Sequence, residues 1–175
     1  ALGYIHGLGI IHKDIKPENV LVSANSEMKL IDFSLAQTKW DRFLQFGKKV
    51  EGTPLYMAPE QIRGERCDPR TDIYSMGATI YELLTKRPPF LGTTEKSLLE
   101  KHLKEPAPPM RTWVKTLSPD LDGMVLKMLA KKPEDRFQDM TSVSYELSKW
   151  EKKPTQLRLR QVEPGNASNR PNTNK

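Results

Sequence analysis

Two short apolar runs, Val20-Leu21-Val22 and Met28-Lys29-Leu30-Ile31, flank the small and polar stretch Ser23-Ala24-Asn25-Ser26-Glu27, and this pairing constrains the fold more than any other part of the chain. Short strands joined by so brief a connection read as an antiparallel hairpin. A hairpin brings the chain back to where it began. Asn19, just before the first strand, and Asp32, just after the second, therefore lie at the same end. Asp14 stands on the loop that leads into the hairpin. Three oxygen-bearing side chains thus converge on one corner, and an amide oxygen beside carboxylates suits a hard cation such as Mg²⁺. Taken singly, each of the three reads better as a cap on a strand or turn.

The rest of the chain reads mainly as helix. From Thr71-Asp72 onward, Ile73, Met76, Ile80, Leu83 and Leu84 recur on apolar faces until Arg87-Pro88-Pro89 stops them, which predicts the best-buried helix of the chain. Asp72 opens this helix and is expected to cap it near the positive end of its dipole. A second helix is predicted over 94–104, ahead of Pro106, Pro108 and Pro109. A third takes Ser118 as N-cap with Pro119 in its first turn and carries Leu121, Val125, Met128 and Leu129. A fourth follows Phe137, with Val143, Leu147 and Trp150 spaced to face a core.

Residues 33–52 have no steady period and read as an exposed loop that Trp40, Phe43, Leu44 and Phe46 could pin down. Ala1 to Gly9 reads as the last turns of a helix without a cap, so the chain is expected to begin inside a domain. A length of 175 residues with 37% hydrophobic residues supports one core, mainly α with a small β-hairpin. Beyond Glu151 large apolar residues become rare, and residues 152–175 are expected to form a disordered basic tail.

Several functions are not expected. Cys67 is the only cysteine, so neither an internal disulfide nor a cysteine-spaced metal site can be built. The net charge of +6 arises from Lys and Arg scattered among Asp and Glu, which argues for a solvated surface and no nucleic-acid partner. No apolar run approaches the roughly 20 residues needed to cross a bilayer, so no membrane segment is expected in the chain, and a cytoplasmic location is.

The segment His12-Lys13-Asp14-Ile15-Lys16-Pro17-Glu18-Asn19, followed beyond the hairpin by Asp32-Phe33-Ser34, resembles the catalytic loop and metal-binding motif of protein kinases. Gly52-Thr53-Pro54-Leu55-Tyr56-Met57-Ala58-Pro59-Glu60 resembles the end of their activation segment. Thr71-Asp72-Ile73-Tyr74-Ser75-Met76-Gly77 and Asp135-Arg136-Phe137 fit the helix and arginine that follow. The resemblance covers residues 1–151 and implies the C-lobe of a eukaryotic-like serine/threonine kinase, an α+β fold with the hairpin beside the catalytic loop. Lys16, two residues after Asp14, and Thr53 are the pattern of members that phosphorylate Ser or Thr.

By this resemblance the activity is transfer of the γ-phosphate of ATP to Ser or Thr of a protein substrate, with Mg²⁺, or Mn²⁺ in its place, as the metal. Asp14 orients the hydroxyl and accepts its proton, Asn19 and Asp32 bind the metal, and Lys16 steadies the phosphoryl group. Thr53 lies on the substrate side, and Glu18 could read a basic residue there. His12 and Phe33 belong to an apolar column, Asp72 holds the backbone of the catalytic loop, and Glu60 and Arg136 form a buried ion pair. The Gly-rich loop, strand lysine and helix glutamate are missing, so the N-lobe is an expected partner and the chain alone should bind ATP negligibly. The competing reading is a pseudokinase-like scaffold.

Two residues depart from the family pattern. Lys13 replaces the usual arginine and offers a point charge where a bidentate fork would grip a phosphate. Ser34 replaces the usual glycine, and its Cβ should disfavour flipping of Asp32 and Phe33. Thr38 is the only hydroxyl residue between Ser34 and Thr53, which implies activity without activation-loop phosphorylation.

Overall fold

A computed structural model of the chain describes residues 1–25, 27–38 and 51–151. Trp40, Phe43, Leu44 and Phe46, the side chain of Trp150, and the tail after Glu151 lie outside the described residues. Six helices and one hairpin are described: α1 (Leu2–Gly7), β1 (Val20–Val22), β2 (Met28–Leu30), α2 (Pro59–Ile62), α3 (Pro69–Thr85), α4 (Glu95–Lys104), α5 (Pro119–Met128) and α6 (Met140–Glu151). Short 3-10 turns occupy Pro17–Asn19, Met110–Thr112 and Pro133–Asp135. Among the described residues no helix is long and apolar enough to cross a membrane.

The hairpin pairs antiparallel with Val20 opposite Leu30, Leu21 opposite Lys29 and Val22 opposite Met28. One further bond, from Ile31 N to Asn19 O at 3.0 Å, extends the pairing to its open end and brings Asp32 back beside Asn19. Leu21, Val22 and Met28 are exposed, so the hairpin buries little apolar surface of its own.

Helix α3 is the spine of the molecule. Its N-cap is Asp68, whose carboxylate accepts the Arg70 amide at 2.8 Å, with Pro69 in the first turn. The cap expected at Asp72 is therefore one turn too late: Asp72 already lies inside the helix and is completely buried. Lys86 closes the far end in a left-handed conformation, φ 60°, just before Arg87-Pro88-Pro89.

The buried face of α3 is wider than its apolar pattern. Thr71, Asp72, Ser75 and Thr79 are buried with Ile73, Tyr74, Ala78 and Tyr81, whereas Leu83 is exposed. The hydroxyls are tolerated because each finds an acceptor, Ser75 Oγ donating to Tyr56 O at 2.8 Å and Thr79 Oγ1 to Ser75 O at 2.9 Å. The principal neighbour of α3 is α5. They approach so closely that a Cβ on Gly77 would lie 2.8 Å from the Cβ of Met128, so this crossing needs glycine.

Two apolar clusters flank the spine. One gathers Tyr56, Tyr74, Tyr81, Met110, Val125 and Leu129, the other Ile73, Met124, Met128, Phe137 and Val143. Helix α4, capped by Thr94, turns Leu98 and His102 inward. Helix α5 has Ser118 as its N-cap, and Val143 of α6 is completely buried.

His102 lies 2.9 Å from the Tyr74 hydroxyl through Nδ1 and edge-on to Phe90. Burial, helped by the nearby charge of Lys131, pushes its pKa from the ordinary 6.5 down to about 3. Between these values the unfolded chain carries a proton that the folded chain refuses. Stability should therefore fall as pH drops through this window, by up to about 1.4 kcal/mol per pH unit. His102→Phe should flatten the stability–pH curve from about pH 6.5 downward, as read by urea denaturation; an unchanged slope would exclude His102 as its source.

Candidate active site

The loop that carries Asp14 is held firmly at its entry. Ile11 and Gln37 exchange backbone bonds at 2.9 and 2.8 Å, tying the loop's entry to the stretch beyond Asp32. Asp72 then accepts the amides of His12 and Lys13, each at 2.8 Å, and lies 2.8 Å from His6 Nε2. A buried carboxylate needs such donors, and here they shape the loop. Lys13 adopts φ 68°, a left-handed conformation that costs a side-chain-bearing residue roughly 1–2 kcal/mol and persists only where its surroundings impose it.

His12 accepts the Asp14 amide at Nδ1 (3.3 Å), so its Nε2 carries the proton directed at Ile31 O, 3.1 Å away. Its ring packs against Phe33 with centroids 4.8 Å apart. Both ring nitrogens are engaged with backbone.

Asp14 is the centre of a dense polar cluster although only 8% exposed. Its Oδ1 accepts the Thr53 hydroxyl at 2.7 Å and the Thr53 amide at 3.1 Å. Its Oδ2 lies 2.7 Å from Lys16 Nζ and 3.2 Å from Asn19 Nδ2. Lys16 Nζ also donates to Thr53 Oγ1 at 3.0 Å. Burial alone would raise the Asp14 pKa, but the Lys16 ammonium and the two Thr53 donors outweigh it and hold the carboxyl below its usual range.

Asn19 directs its amide nitrogen at Asp14, bonding its carbonyl at 2.8 Å as well, which leaves the amide oxygen Oδ1 to act as a ligand. Asp32 is exposed at φ 60° and held ionised by the Ser34 hydroxyl and amide, the latter 3.2 Å away, with a smaller contribution from Lys16. Ser34 thus has a bonding role in the turn that its sequence position did not disclose. Among the described residues no three His, Cys, Asp or Glu side chains are grouped to hold a metal. The Asn19 amide oxygen and the Asp32 carboxylate are the oxygens here that could hold a hard cation, with Glu18 exposed on the 3-10 turn that ends at Asn19.

Glu60 and Arg136 meet in a buried fork, Nη1 to Oε1 at 2.7 Å and Nη2 to Oε2 at 2.9 Å. Thr71 Oγ1 adds a bond to Glu60 at 2.9 Å, and Arg136 also donates to the carbonyls of Ala130, Arg70 and Lys131. Two contributors escaped sequence reading. His6 reaches Asp72 across 66 positions, and Gln61 binds the carbonyls of Lys13 and Glu51. The signal for Gln61 was a polar residue directly after Ala58-Pro59-Glu60; for His6 there was none.

A capped central helix, a hairpin beside a buried aspartate and a forked ion pair to the segment before α3 define a kinase-like domain. The chain belongs to the protein kinase domain family, which matches residues 1–146. It is similar to the serine/threonine-protein kinase PknB of Mycolicibacterium smegmatis, 41% identical over 150 residues, 84% of this chain and 24% of that protein. It is also similar to the protein of the same name from Mycobacterium leprae, 42% identical, and Mycobacterium tuberculosis, 41% identical, each over 149 residues, 84% of this chain and 24% of the relative. Its relatives place it within the bacterial-type serine/threonine protein kinase family. The chain spans about a quarter of the length of these relatives.

Proposed function

We propose that residues 1–151 are the C-lobe of a catalytic domain that transfers the γ-phosphate of ATP to Ser or Thr of a protein substrate. The observation that carries this reading is the Asp14 carboxylate, held ionised by Thr53 and Lys16 and bonded to Asn19. In this reading Asp14 receives the proton of the substrate hydroxyl, Lys16 steadies the transferred group, and Thr53 and Glu18 border the acceptor peptide. The hard oxygens of Asn19 and Asp32 fit Mg²⁺, or Mn²⁺ in its place, and would hold it. When bound, the ion neutralises charge on the phosphates.

Tyr4, Leu8, Leu21, Val22, Met28 and Phe33 are exposed around the hairpin and α1. Such apolar area supports coverage by an N-lobe, and it equally suits the alternative, a scaffold that binds a partner without catalysis. The two are separated by joining the chain to a kinase N-lobe and measuring phosphate incorporation into a Ser/Thr protein substrate against Asp14→Asn. Incorporation that depends on Asp14 supports the enzyme; equal, background-level incorporation supports the scaffold.

Lys13 and the hydroxyl-poor loop further imply activity without loop phosphorylation. Thr38→Ala in the same fusion should retain wild-type kcat within about 2-fold, since a lone lysine selects a phosphate weakly. A stoichiometric phosphate at Thr38 that switches activity on would defeat the idea.

A further inference from the structure

Between the loop that carries Asp14 and the segment that carries Thr53, one side chain bonds to both backbones. Gln61, buried in α2, donates from Nε2 to Lys13 O at 2.9 Å and to Glu51 O at 3.2 Å. Its Oε1 accepts the Ala58 amide at 3.1 Å, so both ends of the carboxamide are engaged. Lys13 directly precedes Asp14, and Glu51 stands two residues before Thr53. The two bonded carbonyls are thus immediate neighbours of the two residues whose side chains meet.

The backbone at this seam is unusual on both sides. Lys13 has φ 68° and Gly52 φ 137°. At the φ of Gly52 any side chain would be strained, and a Cβ there would also lie 3.3 Å from Gln61 Nε2, so the seam favours glycine. The peptide groups flanking Lys13 are clamped in opposite directions, its amide by Asp72 and its carbonyl by Gln61. The side chains of the bridged residues pair as well, Lys13 Nζ lying 3.8 Å from Glu51 Oε2, at 8% and 21% exposure.

We propose that Gln61 is a positioning residue of the active site. Its carboxamide sets the register in which Thr53 presents its amide and hydroxyl to Asp14, and the Lys13–Glu51 pair is a second tie across the same seam. The latch consists of an amide, an ammonium and a carboxylate already in the chain and needs no covalent modification. Its catalytic consequence rests on the kinase reading; its structural part does not.

Gln61→Met keeps length and apolar bulk but removes both donors, while Glu51→Gln leaves Gln61 in place and weakens the side-chain tie. The Thr53 amide, bonded to Asp14, is the reporter. In the 175-residue chain Gln61→Met should speed its hydrogen exchange about 10-fold or more and Glu51→Gln about 3-fold, with amides in the middle of α5 unchanged. In the chain joined to a kinase N-lobe, Gln61→Met should lower kcat about 10-fold and leave KM for ATP within about 2-fold.

Unchanged Thr53 exchange in both variants overturns the latch, as does faster exchange spread evenly over the core, which marks a purely structural glutamine. If Gln61→Met does not fold, Glu51→Gln decides by the same reporter. Phosphate transfer insensitive to Asp14→Asn would sink the kinase reading, and Thr53 exchange would still judge the latch.

Discussion

Asp14→Asn in the chain joined to a kinase N-lobe should reduce kcat by roughly 10²–10⁴-fold, the range that a positioned general base contributes. Among the described residues every group hydrogen-bonded to the Asp14 carboxylate is a donor: the Thr53 hydroxyl and amide, Lys16 Nζ and Asn19 Nδ2. An amide at this position must turn its own NH₂ toward one of them. The substitution therefore removes the proton acceptor and also breaks the contact with Thr53 or with Lys16 and Asn19. ATP is not held by this side chain in the proposed arrangement, so KM for ATP should change little and the loss should appear in kcat. Because its neighbours hold Asp14 below the usual carboxylate range in the free chain, the wild-type acid limb of kcat/KM should also lie below that range. Steady-state phosphate incorporation across pH checks both points, and retention of more than about a tenth of wild-type kcat would remove Asp14 from its assigned role.

Arg136→Ala should cost roughly 3–5 kcal/mol of folding stability, the usual effect of deleting one partner of a buried ion pair. Five hydrogen bonds leave with the guanidinium: two to Glu60 and one each to the carbonyls of Ala130, Arg70 and Lys131. Glu60, 3% exposed, would keep the Thr71 hydroxyl as its remaining hydrogen-bond donor. A domain stable by about 5–15 kcal/mol has little margin for such a loss, so soluble yield should fall before any change in the geometry around Asp14 is seen. Neutralising both partners, as Glu60→Gln with Arg136→Met, should recover part of the stability because no charge is then stranded. Urea denaturation of both variants beside the wild type measures this, and an unmoved midpoint for Arg136→Ala would contradict it.

How much of this was legible depends on the range of each interaction. The helix over 94–104 announced itself through the prolines that follow it, the next helix through Ser118 as its cap, and the hairpin through its two apolar runs, because these are signals carried within a few residues. Asp68-Pro69 carried the same kind of local signal for α3 and was overlooked in favour of Asp72, whose carboxylate serves a loop 60 positions away. Leu83 looked buried by its spacing yet is exposed, while Thr71, Ser75 and Thr79 look like surface residues yet are buried. The helical period cannot report a helix enclosed on most sides, where hydroxyls are accommodated by backbone acceptors.

By itself the sequence determined the elements of this protein and the chemistry of one corner, since Asp14, Lys16 and Asn19 fall within a single loop and a hairpin returns the chain to Asp32. Thr53, Glu60 and Arg136, and the loop-holding role of Asp72, could be named only through family resemblance. What the tertiary structure alone decided is how the loop is held: His6 and Gln61 reach Asp72 and the Lys13 and Glu51 carbonyls from elsewhere in the chain. A hydrogen bond from a side chain to a group distant in the chain imposes no spacing, period or composition on the residues between, so it leaves no trace until the chain is folded.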